Sequence, residues 1–591
     1  MAVSTTLPVG NNNGGTRSVE ISSFATQVVL GRWFALFASF LVMTGAGGFY
    51  LFAYFSKDIK ETLKCDQTTL NKIGFYKDLG SNIGIISGFM AEVAPPWSLL
   101  LLASAVNFIG YFKIWEGVVG RVVNPTVEYF CFYITVGGNS QILANTVVLV
   151  TCVKNFPERR GVILGLLKGF LGIGGAVLTQ IHYAIYGHET KSIILLIAWF
   201  PSLITLLFAF TIREIRVVKH PNEFRVFFHF LFVSLILPFF LFILIILQGR
   251  VHFDQLAYTF VVVAIMGLLL TPLFIAIREE LVQWNLTKIT QLVKSQTITQ
   301  KRLTSISPPT PKTTSFFENI FDKPERGEDY TFLQAVMSID MFILYLTMII
   351  GIGSSFTAMD NLAQIGESQR YSTESIDLII SMASIFNFLG RIFSGFASEI
   401  LLEKFKFPRP LMLTFTLLVS CIGNILVAFP FHHSLYVASI LIGFCLGSQI
   451  PLYFAMISEI FGLKHYSLLY NFGQLSCPVG SYILNVLVAG RFYDEEAKTI
   501  NGNSIYLTCK GEFCYRNSFA ILTGMSLVGA VISLILVKRT NEFYKGDIYR
   551  KFREDMDSLK SEVELYRIDT KSEIDSVNVC RQTTDTSSMR L

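Results

Sequence analysis

Long apolar blocks, separated by short polar segments, run through most of this chain. The block Val226–Leu247 contains no Lys, Arg, Asp or Glu, and it reaches the roughly 20 residues needed to cross a hydrocarbon layer of about 30 Å. Because backbone groups in lipid must pair within their own segment, such blocks are expected to be helices. The pattern predicts about fourteen membrane spans, which are Trp33–Phe55, Leu70–Val93, Trp97–Glu116, Val127–Val150, Gly161–Tyr183, Ser192–Ile212, Val226–Leu247, Ala257–Ile277, Phe332–Ser354, Ser375–Ala397, Leu411–Phe429, Ser434–Glu459, Ser467–Ala489 and Ser518–Val537.

An internal repeat organises these spans. Three short motifs recur in the same order, at offsets of 307, 306 and 305 residues. The pairs are Ser87–Glu92 with Ser394–Glu399, Gly45–Gly47 with Gly351–Gly353, and Asn155–Pro157 with Ile460–Gly462. Parallel repeats of six spans build the major facilitator fold. The predicted fold is therefore all-α and integral to the membrane, with two six-helix halves and two extra central helices.

Polar stretches set the boundaries of this arrangement. The predicted segments are a disordered cytoplasmic N-terminus (1–31), an N-terminal six-helix half (32–215), two extra membrane helices (216–278), a cytoplasmic linker (279–330), a C-terminal six-helix half (331–540) and a cytoplasmic tail (541–591). The Pro-rich stretch at 307–311 is typical of a flexible linker. The tail ends in a stretch rich in Ser and Thr, which predicts disorder.

Basic residues near the span ends predict which side faces the cytoplasm. The basic residues that share one side are Lys154, Arg159, Arg160, Arg213, Arg216, Lys219, Arg225, Lys404, Lys406, Arg409, Lys538 and Arg539. That side is expected to be cytoplasmic and to carry both termini. The first loop on the other side is an exception, because it holds Lys57, Lys60 and Lys64 beside acidic neighbours. The plasma membrane is the expected location.

Composition narrows the function classes. Only 15% of the residues are charged, 52% are hydrophobic, and the net charge of +5 argues against a nucleic-acid partner. The nine cysteines lack metal-ligand spacing, so neither a metal nor another cofactor is expected. Cys509 and Cys514 are a close pair in one polar loop. They would form a disulfide if that loop faces an oxidising compartment, or remain two free thiols.

Polar residues inside spans are costly, which makes each of them a candidate functional residue. The fourth span carries Asn139, Gln141 and Asn145, and a spacing of four places Gln141 and Asn145 on one helix face. These amides would bind a polar solute by hydrogen bonds or link neighbouring helices. Asn471 and Gln474 in the thirteenth span are candidates of the same kind.

Two cations also fall within the spans. Lys168 lies about two turns into the fifth span, where it would bind an anion, pair with a carboxylate or extend toward the cytoplasm. Arg391 shares a face of the tenth span with Asn387 and is a candidate gate residue, anion ligand or cytoplasmic anchor. Glycines recur at every fourth position of the fifth span, at 161, 165 and 169, which favours close helix packing.

Several motifs along the chain resemble those of one known family. They are Asp66–Leu70, Lys77–Gly80, Thr151–Pro157, Leu167–Gly169, Met359–Asn361, Phe407–Pro410, Ser458–Lys464 and Pro478–Tyr482. Together they are similar to the plant nodulin-like carriers, the group that includes the nuclear-fusion-defective-type proteins. The resemblance runs from about Arg32 to Asp555. It implies a major facilitator fold in a plant membrane, and it implies no particular substrate.

The chain departs from the general facilitator signature after the second span. That signature places Arg and Lys soon after an acid, whereas Glu92 is followed by a stretch without a basic residue. In the second half Arg391 precedes Glu399, and Lys404 and Lys406 follow it. Glu92, Arg391 and Glu399 are thus the candidate gating residues. A charge-paired gate is expected in the second half rather than the first.

These features favour a secondary transporter that moves a small polar or anionic solute by alternating access, with protons as the candidate coupling ion. The alternative is a transceptor or scaffold of the same fold that signals through its Ser- and Thr-rich tail. No HExxH motif and no GxSxG motif in a plausible elbow is present, so an enzyme is not expected. The expected partners are a small-molecule solute and the lipid bilayer.

Overall fold

Helices make up nearly all of the structure. The computed structural model describes residues 13–65, 67–187, 189–215, 223–248, 251, 253–296, 323–501 and 509–549, and these ranges contain no β-strand. Within them, twelve helices are long and apolar enough to cross a membrane. The chain divides into two compact units, residues 1–541 and residues 542–591.

The N-terminal half is built from helices α1 to α9. Their bounds are α1 Asn13–Leu30, α2 Arg32–Ala46, α3 Phe52–Leu63, α4 Gln67–Asn82, α5 Ile85–Val93, α6 Pro96–Val119, α7 Val127–Asn155, α8 Arg160–Tyr186 and α9 Ser192–Phe208. A 3-10 turn over Gly47–Leu51 joins α2 to α3, so these two helices form the first span.

Two of the fourteen predicted spans, the second and the sixth, are not among the twelve long helices. The second span is divided at Ile83–Gly84 into α4 and α5, and each piece alone is too short to count as a crossing helix. The sixth span, Ser192–Phe208, is apolar but has only 17 residues. Both predicted spans are therefore present as helices, one of them broken and the other short.

Two extra helices follow the N-terminal half, α10 at Glu223–Gln248 and α11 at Gln255–Gln296. Paired amides of Gln180 and Gln248, at 2.8 and 3.1 Å, fasten α10 to α8. Near the other end of α10, Glu223 lies 2.8 Å from Arg32 at the start of α2. Phe228 of α10 also contacts Phe396 in the C-terminal half, with 5.6 Å between ring centroids. The pair is thus fixed to α8 and α2 and touches the other half.

The C-terminal half is built from helices α12 to α21. Their bounds are α12 Phe332–Val336, α13 Ile339–Asp360, α14 Leu362–Ser368, α15 Thr373–Phe405, α16 Arg409–Ala428, α17 Ser434–Phe461, α18 Tyr466–Gln474, α19 Ser476–Ser481, α20 Arg491–Asn501 and α21 Arg516–Lys545. A π-helical segment, Tyr482–Gly490, joins α19 to α20. The predicted span Phe332–Ser354 starts too early, because the Ser338 hydroxyl caps a new helix by accepting a hydrogen bond from Met341 N at 3.0 Å.

Two segments expected to be irregular are ordered in part. Helix α1 occupies residues 13–30, where the sequence predicts disorder, and its Phe24 ring packs edge-on against Trp284 of α11 at 5.9 Å. Helix α11 continues into the predicted linker as far as Gln296. Residue 327 then pairs with the end of α17, because Gly327 N donates to Ile460 O at 2.9 Å. The rest of the linker (297–322), residues 1–12 and most of the tail (550–591) lie outside the described residues.

A disulfide joins Cys509 to Cys514 in the segment that leads into α21. Of the two states that the sequence leaves open for this pair, the structure has the disulfide rather than the free thiols. Both cysteines are buried against α14 and α20, in one apolar cluster with Leu362 and Ala497.

Candidate functional site

The two halves meet where α8 crosses α15. A methyl group built on Gly165 would lie 2.6 Å from Arg391 O and 3.2 Å from the Cα atom of Gly395. One on Gly161 would lie 3.2 Å from Gly395 O. Because these positions carry no side chain, the two backbones touch directly. The glycine run of the fifth span is therefore a packing surface between the halves.

Gly165→Ala is expected to separate α8 from α15 and to lower the midpoint of thermal unfolding of the purified protein. The added methyl group has no space, and overpacking costs about 1–3 kcal/mol. Gly175→Ala on the same helix is the matched control, since the nearest atom to its new methyl group would lie at 3.6 Å. A Gly165→Ala protein as stable as the Gly175→Ala protein would contradict this packing.

The halves also meet where α5 packs against α18. We call the contact between α8 and α15 the first seam and the contact between α5 and α18 the second seam. A methyl group on Gly88 would lie 2.9 Å from Ser467 O and 3.0 Å from Asn471 Nδ2. Thr146 of α7 donates to Asn471 Oδ1 at 3.1 Å, and Asn471 Nδ2 donates to Ser467 O at 2.8 Å. The internal repeat thus places Gly88 and Gly395 at matching positions, each against the other half. Asn471 lies in this seam as a link between helices.

Asn139 binds the backbone at the point where the second span is broken. Its Nδ2 donates to Gly80 O at 3.4 Å and to Ile83 O at 3.3 Å, two carbonyls freed where α4 ends. Of the two roles that the sequence leaves open for Asn139, the structure shows a link between helices. Gln141 and Gln474 are half-buried, and neither amide has a hydrogen bond to the part of the chain that the structure describes.

Glu92 connects the halves at the end of the second seam. Its Oε2 lies 3.0 Å from His465 Nδ1, and its Oε1 accepts from the Ser467 hydroxyl at 3.2 Å. At the first seam Arg159 Nη1 donates to Glu403 Oε2 at 2.6 Å, which also joins the two halves. All of these residues lie beside the loops predicted to be cytoplasmic. This end of the molecule is therefore held closed by polar contacts between the halves.

Glu92→Ala is expected to open this end of the molecule part of the time, because it removes the carboxylate that both His465 and Ser467 contact. Alkylation of the buried thiol of Cys477, followed by mass spectrometry, measures the opening. The matched control is Glu116→Ala, whose carboxylate pairs with Lys113 within one helix at 2.8 Å. The prediction is wrong if both variants label Cys477 at the wild-type rate.

In the gate expected in the second half, the basic residue that pairs with the acid is not one of those that the sequence predicts. Glu399 pairs with Arg409, whose Nη2 donates to Oε2 at 2.6 Å, rather than with Arg391, Lys404 or Lys406. Arg409 Nε also donates to Glu459 at 2.8 Å, and Arg409 Nη1 donates to the Ser398 hydroxyl. Lys404 and Lys406 are exposed. The sequence could not show this partner, because Arg409 follows Glu399 at a distance and in another helix.

Lys168 lies between the halves, one to two turns deeper than these pairs. Its side chain is only 3% exposed, so it does not extend to the surface on the side predicted to be cytoplasmic. Its ammonium lies 5.6 Å from the centroid of the Phe454 ring and 5.3 Å from that of Tyr470. Within the described ranges it has neither a hydrogen bond nor an ion pair. Aromatic faces stabilise a cation only in part, so its charge remains largely uncompensated.

Arg391 lies against Lys168 from the other half. Its Nη1 donates to the backbone carbonyl of Lys168 at 2.5 Å, and its Nε donates to Asn387 Oδ1 at 2.9 Å. The guanidinium therefore lies beside the backbone of Lys168. No carboxylate of the described residues lies within ion-pair distance of Arg391, which is 4% exposed. The site therefore concentrates positive charge between the halves.

Asn145 connects the fourth span to this group. Its Nδ2 donates to the Tyr470 hydroxyl at 3.1 Å, and the Tyr470 ring contacts the Lys168 ammonium. Its Oδ1 is buried without a partner in the described structure. The structure thus brings together Asn145, Lys168, Asn387 and Arg391, and it adds Tyr470 and Phe454. Sequence reasoning missed these two rings because aromatic residues occur throughout the spans.

Comparisons with known proteins agree with this architecture. Residues 32–277 match the family described as Nodulin-like, and residues 330–546 match the family described as NFD4, C-terminal domain. The first match includes α10 and most of the apolar part of α11. The chain is 22% identical over 546 residues to the Arabidopsis thaliana Protein NUCLEAR FUSION DEFECTIVE 4, covering 90% of this chain and 91% of that protein.

One further relative and one solved structure extend the comparison. The Probable transporter MCH1 of Yarrowia lipolytica is 26% identical over 205 residues, which are 33% of this chain and 41% of that protein. The solved structure of the major facilitator proton:xylose symporter XylE, bound to a sugar, matches with a TM-score of 0.53 at 13% identity. That match covers 87% of this chain and 96% of XylE, and it confirms the predicted fold class.

Proposed function

Since this chain belongs to the nodulin-like family, with a C-terminal domain of the NFD4 type on a major facilitator fold, we propose that it is a secondary transporter. It moves a small polar or anionic solute across the membrane by alternating access. The observation that carries the proposal is the pair of buried cations, Lys168 and Arg391, placed between two halves that are joined at one end. Charged groups at this depth are costly and usually mark a solute pathway.

In this mechanism the two halves move against each other at the two seams. Alternating access requires that the halves rock about the site, separating on one side while they meet on the other. At Gly165 and Gly88 the helices approach without a side chain on the glycine itself, and parting the halves there breaks hydrogen bonds such as Thr146 to Asn471. The pairs Glu92–His465 and Arg159–Glu403 hold the cytoplasmic end shut until they break.

Uptake by cells that express the protein tests the proposal. Labelled carboxylates, amino acids, sugars and nitrate are offered with and without a protonophore, and cells without the protein give the background. Uptake of one class above background supports transport, and its loss with the protonophore supports protons as the coupling ion. A folded protein at the cell surface that takes up none of these classes would contradict the proposal for them.

The proposed orientation places both termini in the cytoplasm of a plasma-membrane protein. The sequence holds one glycosylation acceptor pattern, Asn285-Leu286-Thr287, on the side proposed to be cytoplasmic. We expect no glycan there, so that glycosidase treatment leaves the electrophoretic mobility unchanged. Ile505→Thr, which creates an acceptor at Asn503 on the opposite side, is expected to add a glycan. A glycan at Asn285 would reverse the orientation.

A further inference from the structure

The charge of the central site restricts what it can bind. With Lys168 protonated, Lys168 and Arg391 together carry two positive charges, and among the described residues neither has an acidic partner. Keeping an ion in a low-dielectric interior costs several kcal/mol unless an opposite charge compensates it. Resting on the transport function proposed for this chain, we infer that the solute is a small dicarboxylate whose two negative charges neutralise Lys168 and Arg391.

The donors that remain available suit carboxylate oxygens. The protein uses Arg391 Nε for Asn387 and Nη1 for the Lys168 carbonyl, which leaves Nη2 for a ligand. The Lys168 ammonium keeps all three of its donors. Because Arg391 Nη1 binds the backbone carbonyl of Lys168, its guanidinium is held beside the helix turn that carries this lysine. Charge-assisted hydrogen bonds to carboxylates are the strong class of such contacts.

The walls of the site favour an organic dianion over an inorganic one. The Lys168 ammonium lies beside the rings of Phe454 and Tyr470, which contact each other with 4.4 Å between their centroids. Phe388 and Ile392 of α15 pack against the residue next to Lys168, within 3.1 and 3.3 Å of a methyl group built on Gly169. Burial of carbon atoms against such side chains is favourable, whereas sulfate or phosphate offers no apolar surface.

Asn145 adds a preference for a hydroxyl group on the ligand. Its Oδ1 is buried without a partner, and an unsatisfied buried acceptor is unfavourable. A ligand hydroxyl that donates to this oxygen would satisfy it. Asn145 is linked to the cations through the Tyr470 hydroxyl and ring. A hydroxylated dicarboxylate is therefore expected to bind more tightly than the unsubstituted one.

Binding to the purified full-length protein tests this inference, with succinate, malate, acetate, sulfate and glucose as the probes. We expect succinate and malate to raise the midpoint of thermal unfolding, and malate to bind more tightly than succinate. In Asn145→Ala the two ligands are expected to bind equally tightly. Lys168→Met is expected to weaken binding by about thirtyfold or more, as loss of one partner of a buried charge pair does. Lys168→Arg keeps the charge and retains binding. The matched control Lys113→Met, at a lysine 42% exposed outside the site, leaves binding unchanged.

The remaining outcomes distinguish a failure of the dicarboxylate inference from a failure of the proposed transport function. Sulfate or acetate binding as tightly as succinate overturns the dicarboxylate, and so does binding of glucose without the dicarboxylates. Counterflow in proteoliposomes is measured on the same preparations. Counterflow of a neutral solute that is undiminished in Lys168→Met supports transport and overturns the inference. Dicarboxylate binding without any counterflow supports the inference and counts against transport.

Discussion

Arg409→Met is expected to lower the free energy of unfolding by about 3–5 kcal/mol, because it removes the guanidinium that two buried carboxylates share. Arg409 and Glu459 are both 0% exposed, and Glu399 is 2% exposed. The substitution would leave these two carboxylates in a dry site without the guanidinium that both of them contact. The thermal unfolding of the purified protein, with its abundance at the cell surface, measures this effect.

A matched control is available at Arg491, which pairs with Glu495 on the surface at 3.3 Å. Arg491→Met should leave stability nearly unchanged, since exposed ion pairs contribute little. Adding Glu399→Gln and Glu459→Gln to Arg409→Met should recover part of the loss, because these substitutions also remove the two buried negative charges that Arg409 contacts. The account of this cluster is wrong if Arg409→Met is as stable as Arg491→Met.

Arg391→Met is expected to abolish transport while the protein stays folded. Truncating a buried charge that binds a charged partner costs about 2–5 kcal/mol, which is roughly thirtyfold to several-thousandfold in kcat/KM. Arg391→Lys should keep only part of the activity, because an ammonium lacks the fork that reaches both Asn387 and the Lys168 carbonyl. Initial uptake rates at equal surface abundance measure the loss, with Arg491→Met as the control. Near-normal uptake by Arg391→Met would remove Arg391 from the solute pathway.

Much of the fold follows from the apolar pattern alone, because a span must be long, uncharged and helical. Such a pattern cannot place the break at Gly84, since Ile83, Gly84 and Ile85 are as apolar as their neighbours. The break depends on Asn139, which lies 56 residues further along the chain from Ile83 and binds its carbonyl. Helix α1 was missed for a related reason. Its ordering depends on Phe24 packing on Trp284, a contact between distant parts of the chain.

The candidate site could be predicted only where a residue is unusual in itself. Lys168 and Arg391 stand out because cations are rare inside spans, and the structure brings both to one place. Their roles depend on what they fail to contact, which a sequence does not display. Arg409 was assigned to a cytoplasmic loop for the same reason: only the folded chain brings it between Glu399 and Glu459.

The central claim is that the two halves must part at the Glu92 end for the solute to cross. A reversible cross-link between Glu92→Cys and His465→Cys tests it most directly, since the wild-type side chains lie 3.0 Å apart across the halves. The account predicts that uptake falls to background when the disulfide forms and returns when a reductant is added. Cross-linking Lys113→Cys to Glu116→Cys within one helix should leave uptake unchanged. Normal uptake with the halves locked together at this end would contradict alternating access.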